Sequence, residues 1–482
     1  MNPEDHKPKL EDYFFTRREF LCKCGMGMGG LGLASVLQST GWLTEASAAE
    51  RANLSPLAPK APHFAPKAKR VVHLFAQGGP SQVDTFDPKP ALATHDGKVL
   101  KELDKTITQT GAAFASPFKF QKYGKSGIEV SEVFAKVAEH IDDIAVIRSM
   151  HTATPGHEFA MLLMNCGDER MPKPSLGSWT VYGLGTENQN LPAYIAMSPY
   201  GRPLQGEQNW QSAFLPGIYQ GSFIQTNQPT IEKLIENVRS NTTSLAEQRR
   251  QLDLLHRLDE EHRKKQQGES DLDARIQSFE SAYRMQMAAT DAFDIMRESE
   301  AVRKRYGDGP QGKQLLIARR LLERGVRFLQ CWQDGWDNHS LVEKGIRDLA
   351  KDADVAIAAF LTDLKERGLL QETLVLWGGE FGRTPTVDMN QNVDQTKGKG
   401  RDHNHTGFSV WLAGGGVKGG YAHGATDQFG FTAVENKVAV PDLHATILHL
   451  LGFDHTKLTY RHAGRDFRLT DVAGNVVKEV LA

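Results

Sequence analysis

LVLWGGEFGRTP (374–385), followed by a polar run and then GRDHNHTG (400–407), is the stretch on which both fold and chemistry turn. Residues 374–377 are an apolar run with the length of a buried strand, and the glycine pair behind them lets the chain turn sharply. Glu380 then stands at the strand's carboxyl edge, where open α/β sheets bind ligands. The intervening TVDMNQNVDQTKGKGRD (386–402) is polar and contains glycine, so it reads as a surface loop folding back over the site. It delivers His403 and His405. Two imidazoles and a carboxylate suit a divalent transition metal, because neutral imidazole and carboxylate are ligands that zinc, manganese and iron accept. Taken alone, His-x-His reads equally well as a solvated loop, and the Asp337/His339 pair described next favours the metal.

Upstream, other strands end in the same way. RVVHLFA (70–76) is a first strand running into QGGPSQVDTFDPK (77–89), where a glycine pair permits close approach of backbone to a ligand. Asp84 and Asp87 there serve either as metal ligands or as turn caps, with Asp84 preferred as the ligand. VSEVFAKVAEHI (130–141) has helical spacing, and DIAVIRSM (143–150) reads as a second buried strand that delivers MHTATPGHE (150–158). FAMLLMNCG (159–167) is an apolar helix closed by glycine. Thr152 or Thr154 ahead of it is a helix cap, or else Thr154 is a metal-activated nucleophile. GVRFLQCWQ (325–333) is a strand leading to DGWDNH (334–339), where Asp337 and His339 again follow a strand as a metal-binding pair or a turn. FSVWLAGGGVKGGYAHG (408–424) is a strand plus a glycine-rich turn without phosphate-loop spacing, and VPDLHATILHLLG (440–452) is an amphipathic helix whose His444 and His449 read as packing or surface residues.

From about 230 to 305 the composition changes to long charged helix, broken at Gly268. This predicts a helical hairpin inserted in the α/β core, with a solvated charged face or, alternatively, a surface for a partner protein.

The 57 basic and 59 acidic residues nearly cancel, which argues against a nucleic-acid binder. The amino terminus reads as an address. TRREFL (16–21), a weakly apolar glycine-rich run and Ala46-Ser47-Ala48 have the order of a twin-arginine export signal, residues 1–48, with a proline-spaced linker at 49–69 and one domain over 70–482. Lys23 and several glycines make the apolar run a poor permanent membrane anchor, although an uncleaved signal anchor is the alternative. Export to the periplasm or outside the cell is expected. Signal removal leaves Cys166 and Cys331, too few for a disulfide framework.

The signal together with GGPSQVDTFDPKP, GVRFLQCW, GWDNH, GGEFGRTP, GRDHNHTG, WLAGGGVKGG, DLHATILHLLG and GRDFRLT resembles the exported bacterial family called domain of unknown function 1501. The resemblance spans nearly the whole mature chain. That family is similar to the alkaline phosphatase superfamily, alongside sulfatases. The resemblance implies an α/β fold with a mixed, mostly parallel sheet sandwiched by helices, and metals at the strand ends. By the same resemblance Asp337, His339 and one of His403 or His405 hold a first metal, and Asp84, Thr154 and Glu380 are the nearest candidates for a second. Phe381 stands where a histidine is expected for that second ion. Arg383 is the candidate to hold an anionic substrate by a bidentate contact.

The function implied is a metal-dependent hydrolase of phosphate or sulfate esters, with a small molecule or glycan ester as substrate. Zinc leads as the cofactor, with manganese, calcium or iron as alternatives. Cys166-Gly167-Asp168-Glu169-Arg170 carries Asp168 where the formylglycine motif of sulfatases needs proline or alanine, so that chemistry is not expected. The alternative is a catalytically lapsed relative that binds a glycan or an envelope partner.

Overall fold

A computed structural model of the chain describes residues 56–100, 110–228, 291–389 and 398–482, with scattered positions between 230 and 258. Two compact units are present, one of Pro56–Glu236 with Ala288–Ala482, the other of Met1–Ser55 with Asn237–Met287. The second unit includes a few described helical positions between 246 and 258. The export signal and most of the expected helical insertion lie outside the described residues.

Its centre is a nine-stranded sheet. In chain order the strands are β1 (Arg70–Ala76), β2 (Ile144–His151), β3 (Tyr194–Ser198), β4 (Ser222–Gln225), β5 (Phe328–Gln333), β6 (Thr373–Gly378), β7 (Phe408–Ala413), β8 (Tyr421–His423) and β9 (Val438–Ala439). The spatial order is β8-β2-β7-β6-β1-β5-β3-β4, with β9 also paired to β2. β1 pairs in parallel with both β5 and β6, whereas β7 is antiparallel to β2 and β6. β7 alone is reversed, so the expected mixed, mostly parallel sheet is what the chain forms. β1, β5, β6 and β7 are buried at nearly every position, as expected for strands covered on both faces.

The main helices are α1 (His157–Cys166), α2 (Leu176–Leu184), α3 (Pro310–Glu323), α4 (Val342–Glu366) and α5 (Val440–Leu450). Alternation along the strands sends Val71, Phe75, Leu374, Leu376, Val410 and Leu412 to a core shared with α1, α2 and α5. Trp377, on the alternate register of β6, joins Trp411, Phe86, Phe134 and Trp336 in an aromatic cluster. Gly167, at φ 72°, closes α1 as the sequence predicts.

Two expectations need correction. VSEVFAKVAEHI is not one helix. Its first residues end a hairpin strand, Ile128–Ser131, paired with Phe120–Tyr123, and only Ala135–Ala138 is α-helical. The cause is tertiary: Asp354 on α4 accepts from the amides of Lys136 and Val137 at 3.0 and 2.7 Å, satisfying donors a longer helix would have used itself. Residues 56–69, expected as linker, lie along the domain: Lys60, Phe64 and Lys67 donate backbone bonds to Leu184, Gly452 and Leu450.

Candidate functional site

β2-β7-β6-β1-β5 are adjacent in the sheet, and the site is assembled where they meet one edge. Four of these strands run towards that edge and end in residues 152–157, 77–84, 334–339 and 379–383. β7 runs the other way, so its leading segment, with His403, enters at the same edge. Reversal of a single strand thus adds a fifth loop to the carboxyl edge of the sheet.

Asp337 Oδ1 is the meeting point. It lies 2.9 Å from His339 Nε2, 3.2 Å from His403 Nε2 and 3.3 Å from His157 Nε2, and also accepts from Arg383 Nη2. The opposite nitrogen of each imidazole is engaged. His157 Nδ1 is 2.6 Å from Glu380 Oε1, His339 Nδ1 is 2.6 Å from Asp388 Oδ2, and His403 Nδ1 is 2.8 Å from the Pro155 carbonyl. These partners are acceptors, so each Nδ1 carries a proton, and an Nε2 that gives up its own proton turns a lone pair inward. His339 Nε2 and His403 Nε2 lie 3.0 Å apart, two acceptors face to face unless a proton or a cation lies between them.

Charge leads to the same place. Asp337, Glu380, Asp388 and Asp402 stand against the guanidinium of Arg383, and the imidazoles supply further positive charge when protonated. Burial opposes ionisation of Asp337, yet hydrogen bonds from the three histidines and the charge of Arg383 hold it far below the usual carboxylate range. Burial pushes His157 down, but hydrogen bonds to Asp337 and Glu380 outweigh it and raise the ring to about 9. His339 is displaced upward despite burial, through Asp337 and Asp388, and His403 downward by burial. Two sets, His157/Asp337/His403 and His339/Asp402/His403, each bring ligand atoms within 4.8 Å of one another. Carboxylate–imidazole pairs behind inward-facing nitrogens are the usual outer support of a metal centre, so the residues present fit a divalent ion.

Glycines allow this closeness. A Cβ at Gly78 would lie 2.4 Å from the Asp337 amide, and one at Gly400 would lie 2.0 Å from the His339 carbonyl carbon. Gly78 also donates to Glu380 Oε1 at 3.0 Å. Leu341, beside His339, holds φ 52°, an uncommon conformation for a leucine.

Among the residues nominated from sequence, Asp337, His339 and His403 come together, and Glu380 stands behind His157 with Oε1 already taken. Asp84 does not join them: it is fully buried in an ion pair with Arg401. His405 is half-buried, its carbonyl accepting from the Thr152 amide. Thr154 Oγ1 accepts from the Gly156 amide at 3.2 Å, a turn bond, and the cap position of α1 is Gly156 rather than a threonine. Arg383 is buried, donating to the carbonyls of Gly78, Gly79 and Arg401 and to Asp337, so its guanidinium binds the loops together instead of facing a substrate. Sequence reasoning missed His157, Asp388 and Arg401. His157 had a signal, since it follows a buried strand as Asp337 and Glu380 do.

The family model described as "Protein of unknown function (DUF1501)" matches residues 68–481. No curated protein sequence matches the chain. Solved structures share a distant likeness. A variant of the alkaline phosphatase from the Antarctic bacterium TAB5, with Mg bound, is 10% identical, with 81% of this chain and 99% of that one covered and a TM-score of 0.35. The lipoteichoic acid synthase LtaP from Listeria monocytogenes is 9% identical over 87% and 80%, at 0.35. The PsFucS1 sulfatase from Pseudoalteromonas sp. is 12% identical over 80% and 68%, at 0.33. The strand order given above, rather than these likenesses, establishes the α/β class. Among the described residues no helix is long and apolar enough to cross a membrane.

Proposed function

We propose, from the premise that this chain belongs to the DUF1501 family of proteins of unknown function, that it is an exported, metal-dependent hydrolase of phosphate or sulfate esters. One observation carries the reading: three imidazoles with their Nδ1 atoms tied to acceptors turn their Nε2 atoms towards Asp337 Oδ1. An imidazole-rich set favours zinc, manganese or iron over calcium, which prefers all-oxygen ligands. A bound divalent ion would polarise an ester oxygen and lower the pKa of a water from about 15.7 towards about 7. Asp337 and His403 would hold it, with His157 or His339 as the remaining imidazole. Glu380 and Asp388 keep those rings in the ligating tautomer. Water is the attacking group, since Thr154 Oγ1 is committed to a turn. Twin arginines at Arg17 and Arg18 support export, to the periplasm or beyond.

The engagement of every part of the Arg383 guanidinium favours a second reading. An ester anion would find four of the guanidinium's five N–H donors already used, as expected of a lapsed relative that keeps the ion and binds a glycan or an envelope protein. Metal analysis separates the two when combined with turnover of aryl phosphate and aryl sulfate esters by wild type and His403→Ala. Metal and turnover both lost in the variant support the hydrolase. Stoichiometric metal with no turnover across the panel supports the lapsed protein, and equal metal content in the two proteins rejects the site.

A further inference from the structure

We infer that the centre takes one divalent cation and not two, and that the guanidinium of Arg401 is a permanent counter-charge at the carboxylate where a second ion would be sought. This rests on the metal reading above, and it concerns what lies beside that ion.

Asp84 follows β1 at the same sheet edge as the cluster and is completely buried. Both of its oxygens are occupied. Oδ1 accepts from Arg401 Nη2 at 3.0 Å, and Oδ2 accepts from Arg401 Nε at 2.7 Å and from Ser81 Oγ at 2.6 Å. That is a bidentate, charge-assisted pair with a third donor added, so the charge a cation would neutralise is already compensated. Arg401 is equally enclosed. Nη1 donates to the Thr384 carbonyl at 3.2 Å, Nη2 to the Phe114 carbonyl at 3.0 Å, and the guanidinium lies 4.5 Å from the centre of the Phe114 ring. A buried carboxylate without compensation is too costly to keep. Here the compensation is covalently part of the chain.

The histidines independently limit the number of ions. Among the described residues, both candidate ligand sets require His403. Its Nδ1 is spent on the Pro155 carbonyl, so Nε2 alone remains, and one nitrogen lone pair serves one ion. The two sets are therefore alternative outlines of a single site. Arg401 also fixes where that nitrogen stands. Two residues before His403, its amide donates to the Asn338 carbonyl at 3.1 Å and its carbonyl accepts from Arg383 Nη1 at 3.1 Å. The same residue that neutralises Asp84 thus ties the His403 strand to the loop carrying Asp337 and His339, which makes it a positioning residue.

The test loads metal-stripped wild type with zinc, and in parallel with manganese, and counts ions per chain after removing the excess. One equivalent is expected. Two equivalents would overturn the inference while leaving the metal reading intact, and none would overturn the metal reading and this inference with it. Arg401→Ala is then melted with and without millimolar guanidinium, beside Asp84→Asn/Arg401→Ala. The single variant should melt well below wild type and recover much of the loss with guanidinium, while the double variant should not respond. An equal response from both would overturn the role of Arg401. If Arg401→Ala does not fold, the wild-type count still decides the number of ions, and Arg401→Lys, which keeps a charge, should still take one.

Discussion

His339 Nδ1 lies 2.6 Å from Asp388 Oδ2, and a fully buried carboxylate thereby fixes which nitrogen of a site histidine carries the proton. In Asp388→Asn the amide can turn its nitrogen towards Nδ1, driving the imidazole proton to Nε2 and blocking ligation. Loss of such a partner typically weakens metal binding about 10- to 100-fold. Calorimetric titration of zinc into the stripped variant checks this, and an affinity equal to wild type would remove His339 from the ion's surroundings.

His403 and His405 stand two residues apart in one motif, yet only His403 faces the cluster. His403→Ala should therefore lose the ion, and His405→Ala should retain it at wild-type stoichiometry. Metal content of the two purified variants settles the matter; the reverse pattern would mean that the loop is seated differently.

A methyl group at Gly400 would meet the His339 carbonyl carbon at 2.0 Å and the Ser340 amide at 2.3 Å, both backbone atoms that cannot swing aside. Gly400→Ala must push the His339 loop away, so metal affinity should fall more than the melting temperature does. Gly217→Ala, with no neighbour within 4 Å, is the control and should change stability by less than about 0.5 kcal/mol.

Two core histidines predict acid lability. Burial, helped by the nearby His444, lowers His73 to about 3, and burial lowers His444 to about 4 against its bond to the Met164 carbonyl. In the unfolded chain both titrate near 6.5. Below that value the unfolded state binds more protons, so stability is complete above pH 6.5 and declines as pH falls towards the folded values. Each ring should remove about 2 kcal/mol between pH 6.5 and 5. Urea unfolding at pH 7.5 and 5 should show a smaller loss for His444→Asn than for wild type; an equal loss would contradict the assignment.

Trp377 sits between Trp411, Phe86, Phe134 and Trp336 and is almost fully buried. Trp377→Ala should cost about 3–5 kcal/mol, since the rigid rings around it cannot collapse into the space. A cost below 1 kcal/mol by denaturant unfolding would mean that the cluster is loosely packed.

Five of the nine strands, β1, β2, β5, β6 and β7, were legible as apolar runs that lead into or out of loops, whereas β3, β4, β8 and β9 are short and were not read, nor was the antiparallel sense of β7. Asp337, His339 and Glu380 were legible for a related reason, since they are chemically distinctive residues at strand ends. His157 was hidden by its position at the start of a helix, where it resembles a terminus residue. Which partner neutralises Asp84 could not be read at all. Arg401 is 317 positions away along the chain, and nothing local distinguishes a carboxylate awaiting an ion from one already paired. The short hairpin at Phe120–Tyr123 and Ile128–Ser131 was missed because helical spacing in VSEVFAKVAEHI was overruled from a distance by Asp354.

An arginine tethered through its backbone is not in exchange with the medium. Chelators cannot strip it, copper cannot outcompete it, and scarcity of a trace element does not lower its occupancy. The Asp84–Arg401 pair is balanced from the moment of folding, so the supply of any metal to the neighbouring cluster has no bearing on this part of the interior.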